Sequence, residues 1–416
     1  MTTPAERYAA AKVRGQHPIT TEFIQTFDFE FDPFQVTACH AVEEGKGVLV
    51  AAPTGAGKTV VGEFAAYFAL QAGKKCFYTT PIKALSNQKY SEFVAKFGED
   101  RVGLLTGDTS INGEAEILVM TTEVLRNMLY AGSNTLTNLG CVVMDEVHYL
   151  ADKFRGAVWE EVLIHLMESV QVISLSATVS NAEEFGEWLG EVRGETEVIV
   201  SEIRPIPLFQ HVLIGNRLLD LFDAPGRVNP EVLSREREMT RRASLGRNRR
   251  GRFAEPSDRM SRADIIEKLQ GESLLPAITF IFSRIGCDAA VKQCLHAGLR
   301  LTSPEEREEI KRTALRYTQN IAEEDLEVLN FKEWLTALER GIAAHHAGLL
   351  PSFKGAVEDL FQRGLVKAVF ATETLALGIN MPARTVVLEK LVKFNGEAHV
   401  PITPGEYTQL TGRAGR

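Results

Sequence analysis

With 416 residues, 44% of them apolar and 24% charged, the chain has material for two ordinary domains with a core each. No run approaches the roughly 20 apolar residues of a membrane span, and the start, Met1 to Pro18, has no apolar signal core, so a cytoplasmic protein is expected. The net charge of −9 is opposite to the usual footprint of a nucleic-acid binder, yet main-chain amides, helix N-termini and hydroxyls can hold a backbone without a field of lysines.

Residues 1–22 read as a flexible N-terminal segment. Val48–Ala52 is then a short apolar strand, running into a Pro/Gly turn and a helix that begins near Lys58. Similar units recur, with strands expected at Cys76–Thr79, Val102–Leu105, Ile117–Met120, Cys141–Met144, Val172–Leu175 and Val198–Val200. Helices are expected between several of them, as at Ala84–Phe97 and Val124–Tyr130. Apolar strands alternating with amphipathic helices argue for an α/β fold, a mostly parallel sheet covered on both faces. The first lobe is placed at 23–202.

Ile203 to Pro207 carries two prolines two apart and is read as the linker. The second lobe, 208–416, contains a stretch, 223–262, that is poor in large apolar residues. From Arg227 to Arg262 there are eleven arginines against five acidic residues, a net of +6. Such a segment buries too little to offset its ordering entropy, so a flexible insertion is expected, or else a basic arm on nucleic acid. Strands then resume at Ala277–Phe282, Ile342–His345, Val366–Phe370 and Val386–Leu388, with helices at Cys287–Ala297, Phe353–Gln362 and from Gly405. Pro304–Arg340 is a charged insert of helical period. Cys39, Cys76, Cys141, Cys287 and Cys294 form no CxxC pair and read as reduced core thiols.

Three segments carry chemistry in the first lobe. Ala52-Pro53-Thr54-Gly55-Ala56-Gly57-Lys58-Thr59 reads as a phosphate-binding loop. Its glycines let main-chain N–H groups turn inward, Lys58 neutralises the β/γ-phosphates and Thr59 can ligate Mg²⁺. Ala52 departs from the glycine of the literal pattern. Asp145 and Glu146 end an apolar strand, where ligands of open α/β sheets bind; Asp145 is suited to Mg²⁺ and Glu146 to deprotonating a water. Ser176-Ala177-Thr178 ends the next strand, as a functional segment or a helix cap. In the second lobe, Gln409 to Arg416 offers Arg413 and Arg416, three apart on an expected helix and suited to a γ-phosphate. With phosphate loop and arginines on different lobes, hydrolysis is expected to require closure. The adjacent His345 and His346 point to opposite faces of a strand and are not read as metal ligands.

The ordered set APTGAGKT, DEVH, SAT and QLTGRAGR resembles superfamily 2 helicases, in particular the Ski-like branch and the HelY group of actinobacteria, over about residues 25–416. The resemblance implies two tandem RecA-like domains, ATP and Mg²⁺ as cofactors, and single-stranded nucleic acid with a duplex ahead as substrate. It favours RNA, 3′ to 5′ movement and partners in RNA-degradation machinery. Phe29 and Gln35 match an adenine-recognising element. Thr80, Pro81, Lys83, Asn87, Gln88, Thr106, Gly107, Asp108, Thr121 and Thr122 match strand-gripping segments of the first lobe. Ser283, Arg284, His346, Gly348 and Thr372 match those of the second. His148, Ser176, Thr178, Gly378 and Asn380 fall at coupling positions, and Gln409 joins the arginines at the catalytic site. Relatives of this branch continue beyond the last arginine with a winged-helix and a helical domain, so the chain is expected to be a fragment. Two other readings stand beside an RNA helicase: a DNA-directed repair motor, and an ATP-gated clamp that separates no duplex.

Overall fold

The apolar runs of the first unit become strands with both faces covered. In the computed structural model, residues 15–151, 156–177, 182–246, 260–376, 381–394 and 398–415 are described. The strands are β1 (Gly47–Ala51), β2 (Lys75–Thr80), β3 (Val102–Leu105), β4 (Ser110–Ile111), β5 (Ile117–Thr121), β6 (Leu139–Met144), β7 (Gln171–Ser176) and β8 (Thr196–Val200). They form one sheet in the order β4-β3-β5-β2-β6-β7-β1-β8, parallel throughout except for the β3–β4 pair.

Successive strand residues face opposite ways, and the sequence is apolar on both. Val48 and Val50 pack with Cys39, Val61 and Phe64, from α2 (Pro33–Glu43) and α3 (Thr59–Gln71), which come after α1 (Pro18–Ile24). On that face too lies Phe93 of α4 (Lys83–Phe97). Leu49 belongs to the other core, with Leu125 of α5 (Thr122–Ala131), Trp159 of α6 (Gly156–His165) and Leu189 of α7 (Ala182–Arg193). At about 1.5–3 kcal/mol for each fully buried large side chain, these two layers hold the sheet that carries the site.

The chain divides into two compact units, the second beginning at Ile206. The second opens with two small antiparallel sheets, β9 (His211–Ile214) with β10 (Arg217–Asp220) and β11 (Phe222–Ala224) with β12 (Arg227–Val228). The first hairpin is not among the expected strands, although Gly215-Asn216 between two short runs is a turn signal; Gly215 has φ +58°.

Where the Arg-rich composition suggests a flexible insertion, the structure has a 17-residue helix, α8 (Pro230–Gly246). Asn229 starts it, its side chain accepting from Glu231 N at 2.9 Å and donating to Asp220 O at 2.9 Å. Glu231 pairs with Arg235 one turn on, at 3.4 Å, and Val232 is buried. A helix satisfies its own main chain, so one apolar anchor and a cap outweigh a poor core composition; residues 247–259 lie outside the described part.

After α9 (Arg262–Gly271), β13 (Ala277–Phe280), β14 (Ile342–His345), β15 (Ala368–Ala371) and β16 (Thr385–Leu388) form a parallel sheet ordered β14-β15-β13-β16. Between β13 and β14 come α10 (Arg284–His296) and the charged insert, which is α11 (Pro304–Thr318), α12 (Glu323–Val328) and α13 (Phe331–Glu339). Ser303 and Glu306 cap α11 reciprocally, and Trp334 stacks on Phe353 of α14 (Pro351–Gln362) with ring centres 4.2 Å apart. The hairpin β17 (Val392–Phe394) with β18 (His399–Pro401) and the helix α15 (Pro404–Thr411) complete the unit. All five cysteines are free and buried. Among the described residues no helix is long and apolar enough to cross a membrane.

Candidate active site

Strands β6, β7 and β1 are neighbours, so the residues just past their C-terminal ends share one edge of the sheet. Those residues are Asp145-Glu146, Ala177 and the loop 52–58. Two strand spacings, about 10 Å, separate the acid pair from the loop. This carboxyl edge is where open parallel sheets bind ligands.

The loop explains its own departure from the literal pattern. Ala52 N still donates to Ser176 O at 3.2 Å, so Ala52 prolongs the strand pairing and needs no glycine's freedom. Its carbonyl accepts from Lys58 Nζ at 2.7 Å, and the Pro53 carbonyl accepts at 3.1 Å, which anchors the ammonium to the start of the loop. Gly57 is different. It has φ +80°, and a Cβ there would stand 2.6 Å from Gln35 Nε2. Thr59 then opens α3, whose positive end suits an anion.

The acid pair is held by main chain and phenol. Asp145 N donates to Thr79 O at 2.9 Å, Glu146 N donates to Asp145 Oδ1 at 2.9 Å, and the Tyr78 hydroxyl donates to Asp145 Oδ2 at 2.8 Å. Glu146 has φ +52°, a left-handed conformation that costs a non-glycine residue about 1–3 kcal/mol. His148 Nδ1 is 3.4 Å from Glu146 Oε2, and burial keeps the imidazole below its usual titration range despite that carboxylate. The hydroxyls of Ser174 and Ser176 on the intervening strand are buried without a hydrogen-bond partner among the described residues.

Burial first, and then the Glu146 charge, push the Asp145 carboxyl up to about 6, against the pull of Lys89, Tyr78 and Lys58. An unfolded chain loses this proton near 3.8. Between those values the folded state binds more protons than the unfolded one, so this group's contribution to stability falls as pH rises through the window. Asp145→Asn removes the cost of the buried charge. The variant's unfolding midpoint is expected to exceed the parent's by about 5 °C above pH 6, a difference shrinking toward zero near pH 4. Thermal melts across that range check it; a difference independent of pH contradicts the raised carboxyl.

Phe29 is 53% exposed and held between Phe31, stacked at 5.7 Å, and the edge of Phe27 at 5.2 Å. Gln35 is buried, and its carboxamide is engaged at both ends. Oε1 accepts from Asp32 N at 2.8 Å, and Nε2 donates to Gly57 O at 3.0 Å. Here it braces the loop 52–58, whereas the family pattern gives it a base edge.

The expected strand-gripping residues of the first unit divide by exposure. The Thr80 hydroxyl lies 2.8 Å from Ser86 Oγ, that of Thr122 donates to Thr80 O at 3.3 Å, and both residues are fully buried, as is most of Thr121 and Pro81. These therefore shape the loops. The exposed face is Lys83, Asn87, Gly107 and Asp108, with Lys83 ion-paired to Asp108 and Thr106 donating to Asp108 Oδ1 at 3.1 Å. That lysine holds the Asp108 carboxyl below the usual carboxylate range.

In the second unit, Ser283 caps α10, accepting from Gly286 N at 3.1 Å, and Arg284 is exposed beside it. His346 Nε2 lies 3.0 Å from Asp288 Oδ1, and its Nδ1 accepts from Gly348 N at 3.1 Å; His345 faces Glu358 at 2.8 Å. Thr372 shares a hydrogen bond with Thr374 at 2.9 Å. Thr178, Gly378, Asn380 and Arg416 lie outside the described residues.

A DEAD/DEAH box helicase model matches residues 32–185, and a helicase conserved C-terminal domain model matches 293–416. The chain belongs to the DEAD/DEAH box helicases. It is 60% identical over 411 residues to the "Probable helicase HelY" of Mycobacterium leprae, covering 95% of this chain and 44% of that protein. It is 42% identical over 402 residues to the human "Superkiller complex protein 2", covering 93% and 32%. Against the "ATP-dependent RNA helicase mtr4" of Schizosaccharomyces pombe the identity is 40% over 410 residues, covering 94% and 36%. The chain thus spans less than half the length of these relatives.

The loop 52–58 and the Asp145-Glu146 pair fall in the first matched stretch, and Gln409 with Arg413 in the second. One expectation about that second stretch needs correction. Arg413 is not on a helix with Arg416, because α15 ends at Thr411. Gly412 caps it, Gly415 takes φ +68°, and the turn is tied to Ala383, whose N donates to Arg413 O at 3.1 Å.

Two site residues are not evident from the sequence motifs. Tyr78 looks like core and becomes the donor to Asp145. Lys89 is buried on α4, and its Nζ donates to Thr59 Oγ1 at 3.2 Å. Its signal is positional: Leu85, Lys89 and Phe93 recur every four residues, placing a lysine in an apolar stripe.

Proposed function

We propose that this helicase hydrolyses ATP and uses the cycle to move along and separate strands of nucleic acid, RNA in preference, from 3′ to 5′. The observation that carries the reading is that Lys58 and the Asp145-Glu146 pair lie on one edge of one sheet, past the ends of β1 and β6 with only β7 between them. Lys58 and the α3 N-terminus bind the β- and γ-phosphates. Glu146 takes a proton from the water that attacks the γ-phosphorus. The bond to the bridging oxygen breaks with its electrons leaving on ADP, and inorganic phosphate is released. The Thr59 hydroxyl and the Asp145 carboxylate are hard oxygen donors, and a buried carboxylate beside a second one calls for a cation, so the pair fits Mg²⁺. Bound there, Mg²⁺ would neutralise charge on the phosphate oxygens.

Phe29 offers an exposed ring to the base, and Lys83, Asn87 and Gly107 offer a surface to the strand. The preference for RNA is supported by the Schizosaccharomyces pombe relative's printed name, an ATP-dependent RNA helicase. Five buried thiols fit a reducing, cytoplasmic setting.

The test compares ATP turnover with single-stranded RNA and with single-stranded DNA, and displacement from duplexes with 3′ and 5′ overhangs. Stimulation by RNA and displacement from 3′ overhangs are expected. Stimulation by DNA alone would make it a DNA motor, and turnover without displacement of either duplex would make it a clamp.

A further inference from the structure

One stretch of α4 joins the strand-contact surface to the phosphate loop. Adjacent helix residues point about 100° apart, so the half-buried Gln88 and the buried Lys89 point different ways, and Glu92 lies one turn from both. Gln88 Nε2 donates to Glu92 Oε1 at 2.6 Å. The other carboxylate oxygen accepts from Lys89 Nζ at 2.7 Å, and the same ammonium donates to Thr59 Oγ1 at 3.2 Å. A continuous chain of side chains therefore runs Gln88–Glu92–Lys89–Thr59 within one unit. The Lys89 side chain is 9% exposed, whereas that of Glu92 is 37% exposed, so the inner end is sealed and the outer end open to solvent.

We propose that Lys89 and Glu92 are positioning residues that couple strand binding at Gln88 to the Thr59 hydroxyl of the phosphate loop. The inference rests on the proposed ATP and strand sites. Its direction comes from which atoms are already in use. The Lys89 ammonium occupies one of the two lone pairs of Thr59 Oγ1 and sets a positive charge beside the oxygen that a cation accompanying ATP would take. While Glu92 serves two donors, its hold on Lys89 is shared. A strand phosphate or ribose hydroxyl that takes the Gln88 amide leaves Glu92 with Lys89 alone, and the ammonium is drawn from Thr59 toward the carboxylate. Strand binding thereby frees the threonine oxygen, and the two ligands favour each other. The Lys89 charge also reaches Asp145, where it opposes the effect of burial. Withdrawing it while a divalent cation arrives keeps the local charge compensated. A role confined to bracing α4 against α3 makes a different forecast: stability and both intrinsic affinities would fall together.

Coupling between two ligands is reciprocal and is read from binding alone. The experiment measures anisotropy of a labelled oligo(U) RNA on the whole chain, with and without Mg²⁺ and a non-hydrolysable ATP analogue. A fluorescent nucleotide is titrated in parallel without RNA. In the parent chain the analogue is expected to tighten RNA binding by about ten-fold. In Glu92→Gln, each ligand alone should bind within about two-fold of the parent, with an unchanged melting temperature, while the mutual tightening falls below about two-fold. A variant that retains the ten-fold tightening overturns the relay. So does one that loses both intrinsic affinities, which would make the pair a brace, and so does a parent chain whose two ligands bind independently. A parent chain that binds neither ligand would instead defeat the ATP and strand assignments themselves.

Discussion

Glu146→Gln is expected to bind ATP within about three-fold of the parent chain and to turn it over about 10²–10⁴-fold more slowly. The substitution changes charge and little else. Glu146 takes φ +52°, which glutamine adopts at the same cost, and the main-chain bond from its N to Asp145 Oδ1 at 2.9 Å does not involve the side chain. The nearby His148 Nδ1, 3.4 Å away, can remain beside a carboxamide oxygen. What disappears is an acceptor basic enough to take the proton from an attacking water. Fluorescent-nucleotide titration and phosphate release separate the two effects. A variant with parental turnover would remove Glu146 from the chemistry, and one that no longer bound nucleotide would make it a structural residue of the loop.

Much of the carboxyl edge of the first sheet is legible in the sequence because its elements are local. A strand that ends in Pro53 and two glycines, or one that ends in two acids, announces its own geometry through hydrophobic runs and turn residues. The sheet order that places those ends side by side is not local, and neither are the contacts made across it. Tyr78 and Asp145 meet because β2 and β6 pair with Thr79 opposite Met144. Nothing in either segment alone announces that hydrogen bond. The helix α8 is hidden for another reason. Composition measures the burial a segment can supply, whereas this helix depends on the Asn229 cap and its Glu231–Arg235 pair. The threonines expected to grip a strand show what sequence leaves out. A hydroxyl at a strand end reads as a ligand group, yet those of Thr80 and Thr122 are taken up by Ser86 and by a carbonyl inside the fold. Burial decides between those readings, and burial is a property of packing.

Lys58→Ala is expected to weaken nucleotide binding by on the order of 10²-fold and to take turnover below detection. A charge-assisted contact is worth about 1.5–3 kcal/mol, and one ammonium serving both β- and γ-phosphate makes more than one of them. The same substitution removes the bonds to the carbonyls of Ala52 and Pro53, at 2.7 and 3.1 Å, that pin the start of the loop. Both partners are carbonyls of a loop whose Lys58 is itself partly exposed, so water can replace the ammonium and the fold should survive. The two variants are thus expected to dissect one site: Lys58→Ala weakens the grip on the triphosphate, and Glu146→Gln leaves the grip and slows the reaction. Nucleotide titration and steady-state phosphate release on both proteins check this division. Near-parental turnover in Lys58→Ala would mean that the loop binds its phosphates through main-chain amides alone, and the assignment of the lysine would fall.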